Sequence, residues 1–181
     1  MNLLKKLILM SKKFIFLGIR LEALESFCIF FNLKYVITVK DCFVHKYCKK
    51  KKIKYMLINK KNKLKIFDIL MNEKECEIIC SAGFPYILPY KILKNYKIKI
   101  NSHPSLLPNY KGVSPIKAAF RKREKRYGVT LHNMIEKVDS GNIIYQDHIK
   151  FNNIKLKNLY QIIFKILEPF VIIRGIYKIK L

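Results

Sequence analysis

Apolar runs alternate with amphipathic stretches through the first hundred residues. Lys13-Phe-Ile-Phe-Leu-Gly18 reads as a buried strand closed by a glycine turn. Leu21, Leu24, Phe27 and Cys28 fall at helical spacing, which predicts a helix over Leu21 to Phe31. Tyr35 to Val39 is a second short run with β-branched residues, Phe43 to Lys51 a polar helix, and Ile53 to Ile58 a third strand. A helix over Lys63 to Met71 and a strand over Glu77 to Ser81 follow. The strands are continuous apolar runs rather than alternations, as a sheet covered on both faces requires. Strand and helix recur at βαβ spacing. The expected fold is therefore α/β: a single domain with a Rossmann-like, mostly parallel sheet and helices on both faces.

The second half changes character. Ile98 to Ile100 is a short strand that runs into Asn101-Ser-His-Pro-Ser-Leu-Leu-Pro108, rich in turn residues. Ser114 suits a helix N-cap and Pro115 the first helical position. Tyr127 to Ile135 and Ile143 to Ile149 read as strands joined by a Val138-Asp-Ser-Gly-Asn142 loop. Leu156 to Tyr177 predicts a long closing helix, kinked near Pro169.

Charge complicates this picture. The 181 residues carry 37 Lys plus Arg against 12 Asp plus Glu, a net +25. That invites a polyanion partner. The cations are mostly Lys and scattered rather than laid on one stripe, and Ile, Asn, Phe and Tyr are abundant too, so a codon bias shared by these residues is the preferred explanation of the excess. Lys49 to Lys52 is the dense run and reads as a solvated helix end. Five cysteines, Cys28, Cys42, Cys48, Cys76 and Cys80, are an odd number at low density, expected as free thiols in a reducing cytoplasm. No metal is expected, because Cys76 and Cys80 have no second pair at matching spacing. No apolar run reaches a membrane span. Residues 1–10 read as an N-terminal extension, with Met10 a candidate start, and residues 11–181 as the catalytic domain, without a C-terminal barrel.

Three polar residues stand where loops at strand ends are expected. Asn101 and His103 are two apart, so an extended backbone points both the same way, and Asp139 lies in a glycine-containing loop. A His, a carboxylate and an amide suit a reaction that creates an oxyanion and moves a proton. Turn chemistry accounts for the same residues on spacing alone.

The order of four blocks goes further. Asn101-Ser-His-Pro-Ser-Leu-Leu-Pro-Asn-Tyr-Lys-Gly112, Ser114-Pro115, Gly128-Val-Thr-Leu-His132 and Val138-Asp-Ser-Gly-Asn-Ile-Ile144 resemble, in order, the signature of the folate-dependent formyltransferases. Ser81-Ala-Gly-Phe-Pro-Tyr-Ile-Leu88 resembles the segment lining that family's folate pocket. The resemblance implies 10-formyltetrahydrofolate as donor and co-substrate, and a primary amine as acceptor. It implies that Asn101 and His103 stabilise the tetrahedral oxyanion, and that Asp139 orients His103, favours its imidazolium form and helps relay the amine's proton. Backbone at Tyr86, Ile87 and Leu88, with Val138 and Asp139, would hold the pterin. Thr130 and His132 match positions lining the site, with a buried strand histidine an equal reading for His132. His45 and His148 match nothing and are expected at the surface.

The acceptor is less determined. Leu17-Gly18-Ile-Arg20-Leu-Glu22 lacks the small residues of the family's glycinamide-ribonucleotide loop, which removes a backbone cradle for phosphate. Gly128 to Met134 looks closer to the methionyl-tRNA and amino-sugar branches. Elimination favours a small nucleotide-linked amino sugar, with methionyl-tRNA, glycinamide ribonucleotide and folate deformylation as the alternatives. Arg121, Lys122, Arg123, Lys125 and Arg126 are either a grip for a diphosphate or tRNA backbone or a solvated loop. A folate-binding or basic binding module without turnover is the alternative of another class; the intact Asn101, His103 and Asp139 argue against it.

Overall fold

The computed structural model describes residues 3–179, with side chains described from residue 7 onward. The chain forms two compact units, Met1–Ile100 and Asn101–Leu181. The first contains α1 (Leu3–Ser11), β1 (Lys13–Gly18), α2 (Leu21–Cys28), β2 (Asn32–Thr38), α3 (Phe43–Lys51), β3 (Tyr55–Leu57), α4 (Lys63–Met71), β4 (Ile78–Ala82) and α5 (Tyr90–Leu93). Strand β5 (Ile98–His103) crosses the boundary. The second unit continues with α6 (Pro115–Arg121), β6 (Arg126–Asn133), β7 (Ile143–Lys150), α7 (Leu156–Ile162), a π-turn at Ile163–Leu167, and α8 (Glu168–Lys178). The strands form one seven-stranded sheet in the order β3-β2-β1-β4-β5-β6-β7. This is the expected mostly parallel, Rossmann-like arrangement. Among the described residues no helix is long and apolar enough to cross a membrane.

In the first unit β1 pairs in parallel with β2 and β4, and β2 with β3. The chain therefore winds outward from β1 and returns to its other side, which puts the topological switch point between β1 and β4. Phe14, Ile15, Phe16, Leu17, Ile78 and Ile79 are fully buried, as their uninterrupted apolar runs require. Gly18 ends β1 at φ +147°, where an added Cβ would lie 2.0 Å from the Ala82 carbonyl oxygen; only glycine lets these two strand ends close. Toward the amino ends of the strands, Glu73, Glu75 and Glu77 pair with Lys34, Lys13 and Lys12 at 2.8–2.9 Å, and Lys97 joins Glu77 at 3.2 Å.

Several local expectations are corrected here. Asn101 to His103 are strand, not loop: β5 runs on to His103, with Ser102 and His103 buried, and Pro104 then ends it. Ser114 precedes α6 in a left-handed conformation, φ +56°, and its hydroxyl makes no capping bond; an N-cap needs extended backbone there. Pro115 does occupy the first turn. The expected kink near Pro169 is a π-turn, in which the Glu168 N–H bonds the Ile163 carbonyl. Pro169 has no N–H to offer the regular i−4 carbonyl, so the ladder is already broken there. His45 is buried rather than superficial: its Nδ1 accepts the Asp41 N–H at 3.0 Å and its ring stands edge-on to Tyr55. His148 is half-buried on β7. Lys49, Lys50 and Lys51 close α3 on its solvated end, as expected.

Candidate active site

Asn101 and His103 leave the carboxyl end of β5 on one face, because alternate strand residues share a face. Asp139 is brought to them by the loop between β6 and β7. Its backbone is left-handed, φ +48°, an uncommon state for a residue with a side chain and one that clusters at functional sites. Gly141, two residues on, is held so close that an added Cβ would lie 1.9 Å from the Asn133 carbonyl oxygen. The loop is thus pinned across the end of the β6–β7 hairpin, which pairs antiparallel from Arg126 to His132.

The Asp139 carboxylate is shared four ways. Oδ2 lies 3.3 Å from His103 Nδ1 and accepts the Gly112 N–H at 2.9 Å. Oδ1 lies 3.4 Å from His132 Nε2 and 3.5 Å from Asn101 Nδ2. All three ionisable side chains are 8% exposed or less, so these contacts act with little solvent screening. His103 Nε2 faces the Tyr110 carbonyl at 2.9 Å and must donate to it. Both nitrogens of that ring therefore point at oxygens, and the ring is fully hydrogen-bonded only in its doubly protonated form. His132 Nδ1 faces the Asn133 carbonyl at 2.9 Å and donates likewise. Its Nε2 then accepts from the Asn101 amide at 3.1 Å. This contact fixes the amide with Nδ2, the donor end, toward the carboxylate.

Burial alone would raise the Asp139 carboxyl; the nearby His132 ring, the His103 charge and the Gly112 N–H outweigh it and hold it below its ordinary 3.8. Glu73, half-buried but bonded by Lys34, and Glu75 and Glu77, bonded by Lys13 and Lys12, are also held low. A carboxyl whose folded value is depressed stabilises the fold above its unfolded value and loses that contribution as pH falls through the folded one. Urea midpoints are therefore expected to fall between about pH 5 and pH 3. Asp139→Asn should show a shallower fall over the same window, and an unchanged slope would contradict the Asp139 assignment.

The residues that sequence reasoning nominated divide clearly. Asn101, His103, Asp139 and His132 come together. Thr130 does not reach the carboxylate: its hydroxyl donates to the Ser105 carbonyl at 2.7 Å, accepts the Leu107 N–H at 3.1 Å and meets Gln146 at 2.9 Å, so it fastens the loop after His103. Val138 is 40% exposed beside Asp139, and its carbonyl accepts the Ser140 hydroxyl. In the first unit, Tyr86 stands edge-on to Phe84, Ile87 is exposed and Leu88 is buried. Two contributors were missed, the Tyr110 carbonyl and the Gly112 N–H, both backbone groups that residue type does not reveal. The signal available in the sequence was Gly112 itself, shortly after Pro108-Asn109, both turn-forming types; in the structure Tyr110 and Gly112 have positive φ.

A half-buried amide, a buried imidazole and a shared carboxylate at the carboxyl end of a strand in a Rossmann-like sheet define a group-transfer enzyme that works on a carbonyl. Comparison with known proteins agrees with that class. The family model described as formyl transferase matches residues 5–163, and the chain belongs to that family. The match begins within the residues expected to be an extension. Methionyl-tRNA formyltransferase of Lactococcus lactis is 45% identical over 69 residues, 38% of this chain and 22% of that protein. The trifunctional purine biosynthetic protein adenosine-3 of Gallus gallus is 40% identical over 83 residues, 45% of this chain and 8% of that protein. The chain thus matches under a quarter of the length of these curated relatives. The crystal structure of phosphoribosylglycinamide formyltransferase from Anaplasma phagocytophilum superposes with a TM-score of 0.76 at 26% identity, covering 91% of this chain and 84% of that one.

Proposed function

We propose that the chain transfers a formyl group from 10-formyltetrahydrofolate to a primary amine. The observation that carries this reading is the single carboxylate of Asp139, which touches Asn101, His103 and His132 at once. When the amine attacks the formyl carbon, a C–N bond forms and the carbonyl electron pair moves to oxygen. The oxyanion is stabilised by the His103 imidazolium and by the Asn101 N–H that faces Asp139 at 3.5 Å, a contact long enough to exchange for a substrate oxygen. Asp139 balances the imidazolium and takes the amine's proton through water. Collapse breaks the bond to N10, which leaves with the amine's proton, relayed from Asp139 through water. In the second unit, Val138 and Asp139 are proposed to hold the pterin; the family resemblance gives the same role to backbone at Tyr86 to Leu88 in the first.

The acceptor reading shifts from the one that sequence elimination favoured. The relatives named above act, by their names, on methionyl-tRNA, in purine biosynthesis and on phosphoribosylglycinamide. The proposed acceptor is therefore an amine on a phosphorylated carrier, with methionyl-tRNA first and glycinamide ribonucleotide second, ahead of the nucleotide-linked amino sugar. The 45% identity to the tRNA enzyme supports the first place. The exposed cations Arg121, Lys122, Arg123, Lys125 and Arg126 support it too, since Lys122 stacks on the Tyr110 ring at 5.5 Å, beside the carbonyl that holds His103. Tetrahydrofolate release measured with each acceptor in turn tests this. Fastest release with methionyl-tRNA is expected. A higher kcat/KM with the ribonucleotide or the amino sugar reverses the order, and release without any acceptor replaces transfer by hydrolysis.

A further inference from the structure

Ser102 lies between Asn101 and His103, yet its side chain faces the other way, as strand alternation dictates. It is fully buried, and so is Glu168, whose Oε1 accepts the Ser102 hydroxyl at 2.5 Å. A hydroxyl and a carboxylate are costly inside a sheet–helix interface, where apolar residues would pack. Neither group belongs to the proposed chemistry. Their place in the fold shows what the pair can do.

Glu168 opens α8 directly after the π-turn. Such turns insert a residue into the helix and rotate the next helical segment, and they recur at functional sites. Farther along, Gly175 brings α8 so near the sheet that an added Cβ would lie 2.5 Å from Leu131 Cδ2 and 3.3 Å from Tyr145 Cβ. Val171, Ile172 and Ile176 are fully buried on the same helix. The helix is thus fixed against β6 and β7. β6 carries His132, and the β6–β7 loop carries Asp139. The Ser102–Glu168 bond ties β5, with Asn101 and His103, to that same platform.

We propose that Glu168, acting through Ser102, is a positioning residue that sets the height of Asn101 and His103 against His132 and Asp139. The catalytic contacts span only 3.1–3.5 Å, and small displacements of catalytic groups are expensive in rate. The inference rests on the formyl-transfer reading for its kinetic arm only.

Three variants test it in the full chain: Glu168→Gln, Ser102→Val, and the double variant Ser102→Val/Glu168→Met. Glu168→Gln keeps an oxygen that accepts the hydroxyl, so kcat is expected within about twofold of wild type. Ser102→Val should lower kcat roughly 10- to 100-fold with KM for 10-formyltetrahydrofolate unchanged. The double variant removes both buried polar groups and should recover Tm, because a dry pair replaces a polar one. Its kcat should stay low, and the side-chain ¹⁵N signals of His103 should stay displaced from wild type. Recovery of kcat together with Tm, or His103 signals that match wild type in the double variant, would show a purely structural pair and overturn the proposal. If the wild type transfers no formyl group to any acceptor, the proposed function fails, and the His103 signals still decide the positioning claim.

Discussion

Asn101→Ala is expected to lower kcat by about 10²–10³, with KM for 10-formyltetrahydrofolate little changed. The amide donates to an oxygen that becomes negative only as the amine attacks, so its loss falls on the transition state rather than on folate binding. The geometry sharpens this expectation. His132 Nε2 accepts from Asn101 Nδ2 at 3.1 Å and so sets which end of the amide faces Asp139. Asn101→Asp should therefore be no rescue: it substitutes an acceptor for the donor and sets a second carboxylate beside Asp139. Steady-state kinetics on both variants check the claim, and an Asn101→Asp enzyme with near-wild-type kcat would remove the amide from the mechanism.

Asp139→Asn is expected to cost on the order of 10⁴ in kcat across the neutral range, by analogy with triad carboxylates that orient an imidazole. The substitution keeps volume but removes the one negative charge between two imidazoles. An asparagine oxygen can still accept from His103 Nδ1 and the Gly112 N–H, but its NH₂ would take the place of Oδ1 and face the Asn101 Nδ2 donor at 3.5 Å, so the variant loses the charge and sets donor against donor. The effect should be a loss of rate at every pH rather than a shifted optimum, because what disappears is the partner of the imidazolium. A pH–rate profile distinguishes these outcomes: a displaced optimum with undiminished maximum would contradict the role given to the carboxylate.

Much of this architecture is legible in the residue pattern, for identifiable reasons. The buried parallel strands of the first unit are uninterrupted apolar runs, and Phe43 to Lys51 and Lys63 to Met71 carry enough helical character to fix both helices at their observed ends. The failures have physical causes. Asn, Ser, His and Pro are turn formers, so Asn101 to His103 reads as loop; burial within the sheet overrides that local preference. Ser114 looks like a cap by type, but its left-handed backbone forbids the role. His45 has no local signature of burial, because the Asp41 N–H it accepts and the Tyr55 ring it meets are fixed by tertiary structure. Motif order marks Asn101, His103 and Asp139, with Asn101 and His103 further tied by strand periodicity. His132 is undecided on sequence, and its contact with the Asn101 amide is what assigns it to the site. The Tyr110 carbonyl and the Gly112 N–H are invisible to residue type because any residue carries them. Ser102 and Glu168, 66 residues apart, become a pair only once α8 lies against the sheet.

The central claim is that Asn101, His103 and Asp139 act together to move a formyl group from a folate to an amine. A single-turnover reaction tests it most directly. It would use excess enzyme, 10-formyltetrahydrofolate labelled with ¹³C at the formyl carbon, and methionyl-tRNA. Wild-type enzyme should place the label on the amine as one formamide per tetrahydrofolate released, and the triple variant Asn101→Ala/His103→Ala/Asp139→Asn should be little slower than its worst single member, as residues acting as a unit require. Label released as formate, or transfer by the triple variant at the wild-type rate, would contradict it.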